Sequence, residues 1–206
     1  MSAAAEAVRA ARANGDPVAA FVLDDGREAQ VRAAYPLDAR RGDDIRFFAE
    51  LRRKHADSFF DTGRPSEEEV AAWVRERYDC DGSQINLIVE ADRPLLFFGL
   101  SDIEFEAGQA EFGRLMRQPW APPGLAAAAM KALFGWAREI GLRTIALEVF
   151  ADNEPALRAY RRLGFELDHQ SRRLPKEEGG RTIWERGEGP GDRPVLAMRL
   201  DLEHAA

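Results

Sequence analysis

The sequence predicts an α+β domain, and three observations carry that prediction. Residues 84–117 hold three apolar runs, QINLIVEA, RPLLFFGLSDI and EAGQAEFGRLM, parted by turn residues in the manner of an antiparallel meander. The third run then leads through a Pro-rich loop into the helical pattern GLAAAAMKALFGWAREIG and the buried strand RTIALEVF, which together read as one strand–helix–strand crossover. Two amphipathic segments, 43–60 and 66–78, stand ahead of the meander. A chain of 206 residues suits one domain with a large core and needs no disulfide or structural metal to fold.

The elements follow in order. Residues 2–13 are Ala-rich and helical, stopped by Asn14, Gly15 and Pro17. PVAAFVLDDG and REAQVRAAYPL flank Asp25-Gly26 as a hairpin. Asp43 and Asp44 open the next helix, with Ile45, Phe48, Leu51 and His55 at helical spacing. After the TGRP break at 62–65, Ser66 and Glu69 form a capping box for a helix whose inner stripe is Val70, Trp73 and Val74. The meander and the crossover come next. ADNEPALRAYRRLGF is a short helix closed by Gly164, and FELDHQSRR and PVLAMRLDL are the last strands. Between these two strands, residues 174–193 read as a long polar, Gly-rich connection. Residues 1–39 are expected to lead into the domain as helix and hairpin, and 40–206 to form it.

Charge and composition exclude several classes. With 36 acidic and 29 basic residues the net charge is −7, which speaks against a chain-wide nucleic-acid surface but not against a local anion site. One cysteine, Cys80, and three dispersed histidines, His55, His169 and His204, leave no multi-cysteine or His-rich metal site. No run approaches the roughly 20 apolar residues that cross a bilayer, and the N-terminus lacks a secretory pattern. A cytoplasmic protein without metal, nucleic-acid or membrane partners is the expectation.

The chemistry is concentrated in 111–165. Pro122 and Pro123 stiffen a loop that feeds through Gly124 into a helix, where the first backbone N–H groups have no partner inside the helix. Gly124, Leu125 and Ala126, with Ala127 and Ala128 behind, are candidate donors to an anion, and the helix dipole adds positive potential. A P-loop is excluded, because GxxxxGK[ST] is missing. The same loop can also be no more than a helix start.

Further on, LEVFADNEPALRAYRRLGF resembles the C-terminal half of the GNAT (Gcn5-related) N-acetyltransferases. The shared pattern is a strand followed by N-x-x-A-x-x-x-Y-x-x-x-G-F, here Asn153, Ala156, Tyr160, Gly164 and Phe165. The resemblance spans roughly 40–202 and is specific in 111–165. One departure is that the first position of the family's [QR]-x-x-G-x-[GA] loop falls on Ala121. The run EFGRLMR also resembles bacterial acetyltransferases that act on nucleotide-linked amino sugars.

The resemblance implies a GNAT fold: a mixed, twisted sheet of about seven strands, helices on both faces and a splayed central strand pair, 110–117 and 143–150. It implies acetyl-CoA as cosubstrate, its pantetheine held by backbone groups of Leu115, Met116 and Arg117 and its pyrophosphate at Gly124 to Ala126. A small primary amine attacks the thioester. Tyr160 protonates the leaving thiolate, which suits a phenol with a pKa of ~10 against a thiol near ~8.5. Asn153 contacts pantetheine or fixes its loop, a role compatible with capping the helix that follows. Glu111 and Glu148 are the candidate proton acceptors, with a solvated strand carboxylate as the alternative for each. The alternative for Tyr160 is a half-buried packing residue. Trp120 is either a lid or a hydrophobic plug, and Arg158, Arg161 and Arg162 are surface charges or a phosphate cluster.

A nucleotide-linked amino sugar is one acceptor class, a protein N-terminus or ribosomal protein another. A non-catalytic acyl-CoA sensor is an alternative of a different class, supported by Ala121 and opposed by Tyr160. The resemblance also implies a homodimer edge at strand 194–202. The connection 174–193 is expected to close over the acceptor, with Trp184 as cover and Arg181 or Arg186 meeting an anion. The alternative is a surface excursion with Trp184 tucked aside.

Overall fold

The computed structural model of the chain describes residues 2–37 and 40–204, so the expected boundary at residue 39 lies outside the described residues. Helix α1 (Ala3–Asn14) is capped by Ser2, whose side chain accepts from the Ala5 amide, and closed by Gly15. It leads into the hairpin β1 (Pro17–Val22) and β2 (Glu28–Ala33). Helix α2 (Arg41–His55) ends in a single 3₁₀ turn, Ala56–Ser58. Helix α3 (Glu67–Trp73) starts on the complete Ser66–Glu69 capping box and loosens into a π turn at Val74–Tyr78.

The remaining elements are β3 (Ile85–Glu90), β4 (Pro94–Glu104), β5 (Gln109–Arg117), α4 (Leu125–Glu139), β6 (Thr144–Phe150), α5 (Glu154–Arg162), β7 (Glu166–Glu178), β8 (Arg181–Arg186) and β9 (Arg193–Asp201). The strands form one sheet in the order β1-β2-β3-β4-β5-β6-β9-β7-β8. Every neighbouring pair is antiparallel except β5 and β6, which the α4 crossover makes parallel.

The sheet has a core on each face. On one, α4 and α5 cover β-strand residues such as Leu87, Leu100, Phe112, Ile145 and Met198. On the other, α2 and α3 bring Phe47, Phe48, Leu51, Val70 and Val74 onto Ile88, Phe97 and Met116. A buried ion pair fixes the start of α2. Asp44 accepts from both terminal nitrogens of Arg32 at 2.8 Å each and from the Tyr35 amide at 2.9 Å. Arg32 also reaches Glu90 at 2.9 Å, so three elements meet on one guanidinium.

Two expectations need correction. Among the described residues the sheet has nine strands rather than about seven, because residues 174–193 are not an irregular loop: β7 runs on to Glu178 and returns as β8. These strands are mostly polar and end the sheet, and their few apolar residues do not alternate, so no period announces them. The last strand is also not an edge. β9 lies between β6 and β7, paired on both sides, and offers no free backbone to a second copy.

Strands β5 and β6 pair only at their first residues, Gln109–Glu111 with Thr144–Ala146. Beyond that point they part. A bulge causes the separation: between Gly99↔Gly113 and Phe97↔Met116, β5 holds one residue more than β4, and Arg114 takes φ 59°. The extra residue bends β5 away, and a cleft opens between it and β6.

Candidate active site

The cleft encloses about 450 Å³. Glu111 to Leu115 form one wall, Glu148 to Phe150 the other, and Asn153, Ala156 and Tyr160 close it from α5. The face toward α2 is completed by Phe48, Arg52 and His55. The structure therefore brings five of the residues read from the sequence to one cavity: Tyr160, Glu111, Glu148, Leu115 and Asn153.

Helix α5 presents Tyr160 because its local sequence allows few alternatives. Asn153 caps it, the Oδ1 accepting from the Ala156 amide at 3.3 Å, and Pro155 stands in the first turn. Only Leu157 and Tyr160 are buried, on one stripe. The Tyr160 ring packs edge-on to Phe112, with centroids 6.3 Å apart, and tilted on Phe165 at 5.7 Å. Burial pushes its phenol up to about 12. Tyr160 lines the cleft, and its hydroxyl makes no hydrogen bond among the described residues.

The two carboxylates differ. Glu148 is held by Arg173 and, at 2.9 Å, by Arg186. Glu111 forms no ion pair among the described residues. Burial raises its pKa, and the nearby carboxylates of Asp102 and Glu148 raise it further. A carboxyl so placed takes up a proton more readily than an ordinary glutamate, and this one stands at the parting of β5 and β6.

Gly124 is the N-cap of α4, with φ 79° and no side-chain cap. That backbone conformation favours glycine and turns the loop into the helix. The Ala128 amide bonds the Gly124 carbonyl at 3.1 Å, and the Leu125 amide makes only a 3.4 Å contact to Pro122. The amides of Ala126 and Ala127 have no acceptor among the described residues. Asp24, from the β1–β2 turn, stands beside this start: a Cβ on Gly124 would lie 3.6 Å from its Oδ2.

Of the three residues expected to meet pantetheine, Leu115 lines the cleft, Met116 is buried against α2 and α3, and the Arg117 carbonyl already faces His55 Nε2 at 2.9 Å. Trp120 is 45% exposed, and the Arg93 guanidinium lies 3.6 Å from its ring centre. Arg158, Arg161 and Arg162 do not line the cleft, and all three are exposed.

The far wall was hidden from sequence reading. Strand β8 is tied to the segment after α2: the Trp184 amide donates to the Phe60 carbonyl at 2.6 Å, and the Thr62 amide to the Thr182 carbonyl at 3.0 Å. Trp184 packs edge-on to Phe150 at 5.4 Å, and Phe150 to Phe60 at 4.9 Å. Trp184 therefore packs behind Phe150, outside the lining of the cleft, and does not cover it. Arg52 and Arg114 also line the cleft, and neither stood out in the sequence. A charged residue inside the apolar strand EFGRLM was the only available signal for Arg114.

Among the described residues, no group of three or more His, Cys, Asp or Glu could hold a metal ion, and no helix is long and apolar enough to cross a membrane. The family model described as Acetyltransferase (GNAT) domain matches residues 37–166. No curated protein sequence matches the chain. Among solved structures, the fold is similar to that of spermidine N-acetyltransferase from Vibrio cholerae in complex with CoA and spermine, with TM-score 0.65, 20% identity and coverage of 85% of this chain and 96% of that one. It is similar to yncA from Salmonella typhimurium with acetyl-CoA, at TM-score 0.61, 18% identity and coverage of 86% and 96%. Ribosomal-protein-alanine N-acetyltransferase from Brucella melitensis gives 0.61, 15%, 83% and 98%.

Proposed function

The chain belongs to the GNAT acetyltransferase family, and from that premise we propose that it moves an acetyl group from acetyl-CoA to a small primary amine inside the β5–β6 cleft. The observation that carries this reading is the failure of β5 and β6 to pair beyond Glu111 and Ala146. The failure frees backbone groups on one wall and opens the cavity beside Tyr160.

In this reading the pantetheine arm lies along Leu115, and the diphosphate meets the free amides at Ala126 and Ala127 with Gly124 allowing close approach. The neutral amine attacks the thioester carbonyl carbon. The carbon–sulfur bond breaks, and the thiolate takes the Tyr160 proton. The proton lost by the amine passes to Glu111, directly or through water. Glu111 suits this role better than Glu148, whose carboxylate is engaged by two arginines. A phenol at about 12 stays protonated throughout the neutral range.

A nucleotide-linked amino sugar, a polyamine and a protein N-terminus are the acceptor classes suggested by likeness. The cleft's volume of about 450 Å³ favours small ones. The test is amine-dependent release of free thiol from acetyl-CoA. Thiol release that stays at the no-amine rate across a broad amine panel refutes the reading.

A further inference from the structure

Most arginines around the cleft are neutralised. Arg173 and Arg186 hold Glu148, Arg193 holds Asp152 at 2.7 Å, and Arg181 lies 3.2 Å from Asp61. Two that line the cavity itself are not. Arg52 donates through Nη2 to the Asp61 carbonyl at 2.7 Å and lies 4.3 Å from the Phe59 ring centre, but its Nη1 is buried without an acceptor. Arg114, at the bulge, makes one 3.5 Å contact to the Leu100 carbonyl, and its Nε is buried without an acceptor. Neither forms an ion pair among the described residues. Burial lowers the pKa of both guanidinium groups, outweighing the opposite pull of Asp61 on Arg52 and of Tyr35, Tyr78, Glu111 and Asp102 on Arg114.

A buried cation with unused donors is costly, and an anion that supplies the acceptors removes that cost. The acyl donor's diphosphate lies elsewhere in the reading above, at the start of α4. We propose that Arg52 and Arg114 bind an anionic group on the acceptor, so that the substrate is a primary amine carrying a carboxylate or phosphonate-like group. Its amine then faces Glu111, and its acidic group faces the two guanidinium forks. Arg52 also lines a larger groove of about 1020 Å³ bounded by α3 and the β7–β8 turn, which gives the rest of the acceptor room.

This inference rests on the acyl-transfer reading and deepens it. The test is thiol release from acetyl-CoA with matched acceptors: amino acids, their primary amides, the corresponding aminophosphonates, and polyamines. The expected result is a kcat/KM about 10²-fold higher for the acids or phosphonates than for the amides, the scale of discrimination from a buried charged contact. Which anion is preferred separates carboxylate from phosphonate recognition. Arg114→Gln and Arg52→Gln should each cut that preference at least tenfold. If Arg114→Gln does not fold, Arg52→Gln carries the test alone. Amides or polyamines turned over as well as the acids, or an unchanged preference in a folded variant, overturn the inference and leave acyl transfer standing. Thiol release that no amine stimulates overturns acyl transfer, and this inference with it.

Discussion

Strand β6 has two unlike edges. Toward β9 it is paired along its whole length, from Thr144↔Asp201 to Phe150↔Val195. Toward β5 it is paired only as far as Ala146. The closed edge carries core residues such as Leu147 against Met198, while the open edge carries the cavity, Glu111 and Tyr160. The contrast teaches that chemistry sits where a ladder is interrupted, because an interrupted ladder leaves backbone groups and space that a paired one consumes. Substitutions on the two edges should therefore separate activity from stability.

The largest effect belongs to the open edge. Tyr160→Phe removes a hydroxyl that bonds nothing else among the described residues, so thermal stability and CoA affinity should hold. Its kcat should fall by ~10²–10⁴, the range for a general acid. A kcat within twofold of the parent would reduce Tyr160 to packing.

Met198→Ala, on the closed edge, should behave in the opposite way. Met198 is 2% exposed, and its loss should cost about 2–4 kcal/mol of stability in denaturant unfolding. The folded fraction should keep its kcat. Equal damage to stability and turnover would mean the edges are not independent.

These two residues also show what can be read from sequence. Asn153, Ala156, Tyr160, Gly164 and Phe165 are legible because their spacing is set by one short helix and its caps, all local in the chain. The start of α4 is legible for the same reason, from Pro122-Pro123-Gly124. The β7–β8 hairpin is not legible, since its few apolar residues, Leu174, Ile183 and Trp184, do not alternate along the strands and it is anchored by Phe60 and Thr62, more than a hundred residues away. Glu148 looked equivalent to Glu111 because the arginines that occupy it arrive from β7 and β8. Arg52 and Arg114 come to one cavity only through the fold.

Gly113 sharpens the comparison at intermediate size. A Cβ there would meet nothing within 4 Å, so a side chain can enter the cleft without disturbing the sheet. Gly113→Leu should leave the melting temperature within a few degrees of the parent and weaken CoA binding by about 10–100-fold in calorimetry, as lost space along β5 requires. Undiminished binding would place the pantetheine elsewhere.

The buried phenol also makes a pH prediction. The folded pKa of Tyr160, about 12, lies above its unfolded value, so its contribution is complete below about pH 10 and is lost as the pH rises from there toward 12. Unfolding free energies should fall more steeply in that window for the parent than for Tyr160→Phe, by up to about 2–3 kcal/mol. Parallel curves would mean the ring is not buried as described.

The smallest effect concerns the α4 start. Asp24 places a negative charge beside Gly124, where an anion is expected. Asp24→Asn should tighten CoA binding by about two- to fivefold at low ionic strength, less at high salt. Weaker binding in this variant would assign Asp24 a supporting role.

Acyl transfer in the β5–β6 cleft requires CoA to lie there. A crystal structure of the complex tests that directly. The expected result has pantetheine between β5 and β6 along Leu115, the diphosphate on the amides of Ala126 and Ala127, and the sulfur within about 3.5 Å of the Tyr160 hydroxyl. CoA bound instead in the groove between α3 and the β7–β8 turn, with the β5–β6 cleft unfilled, would contradict it.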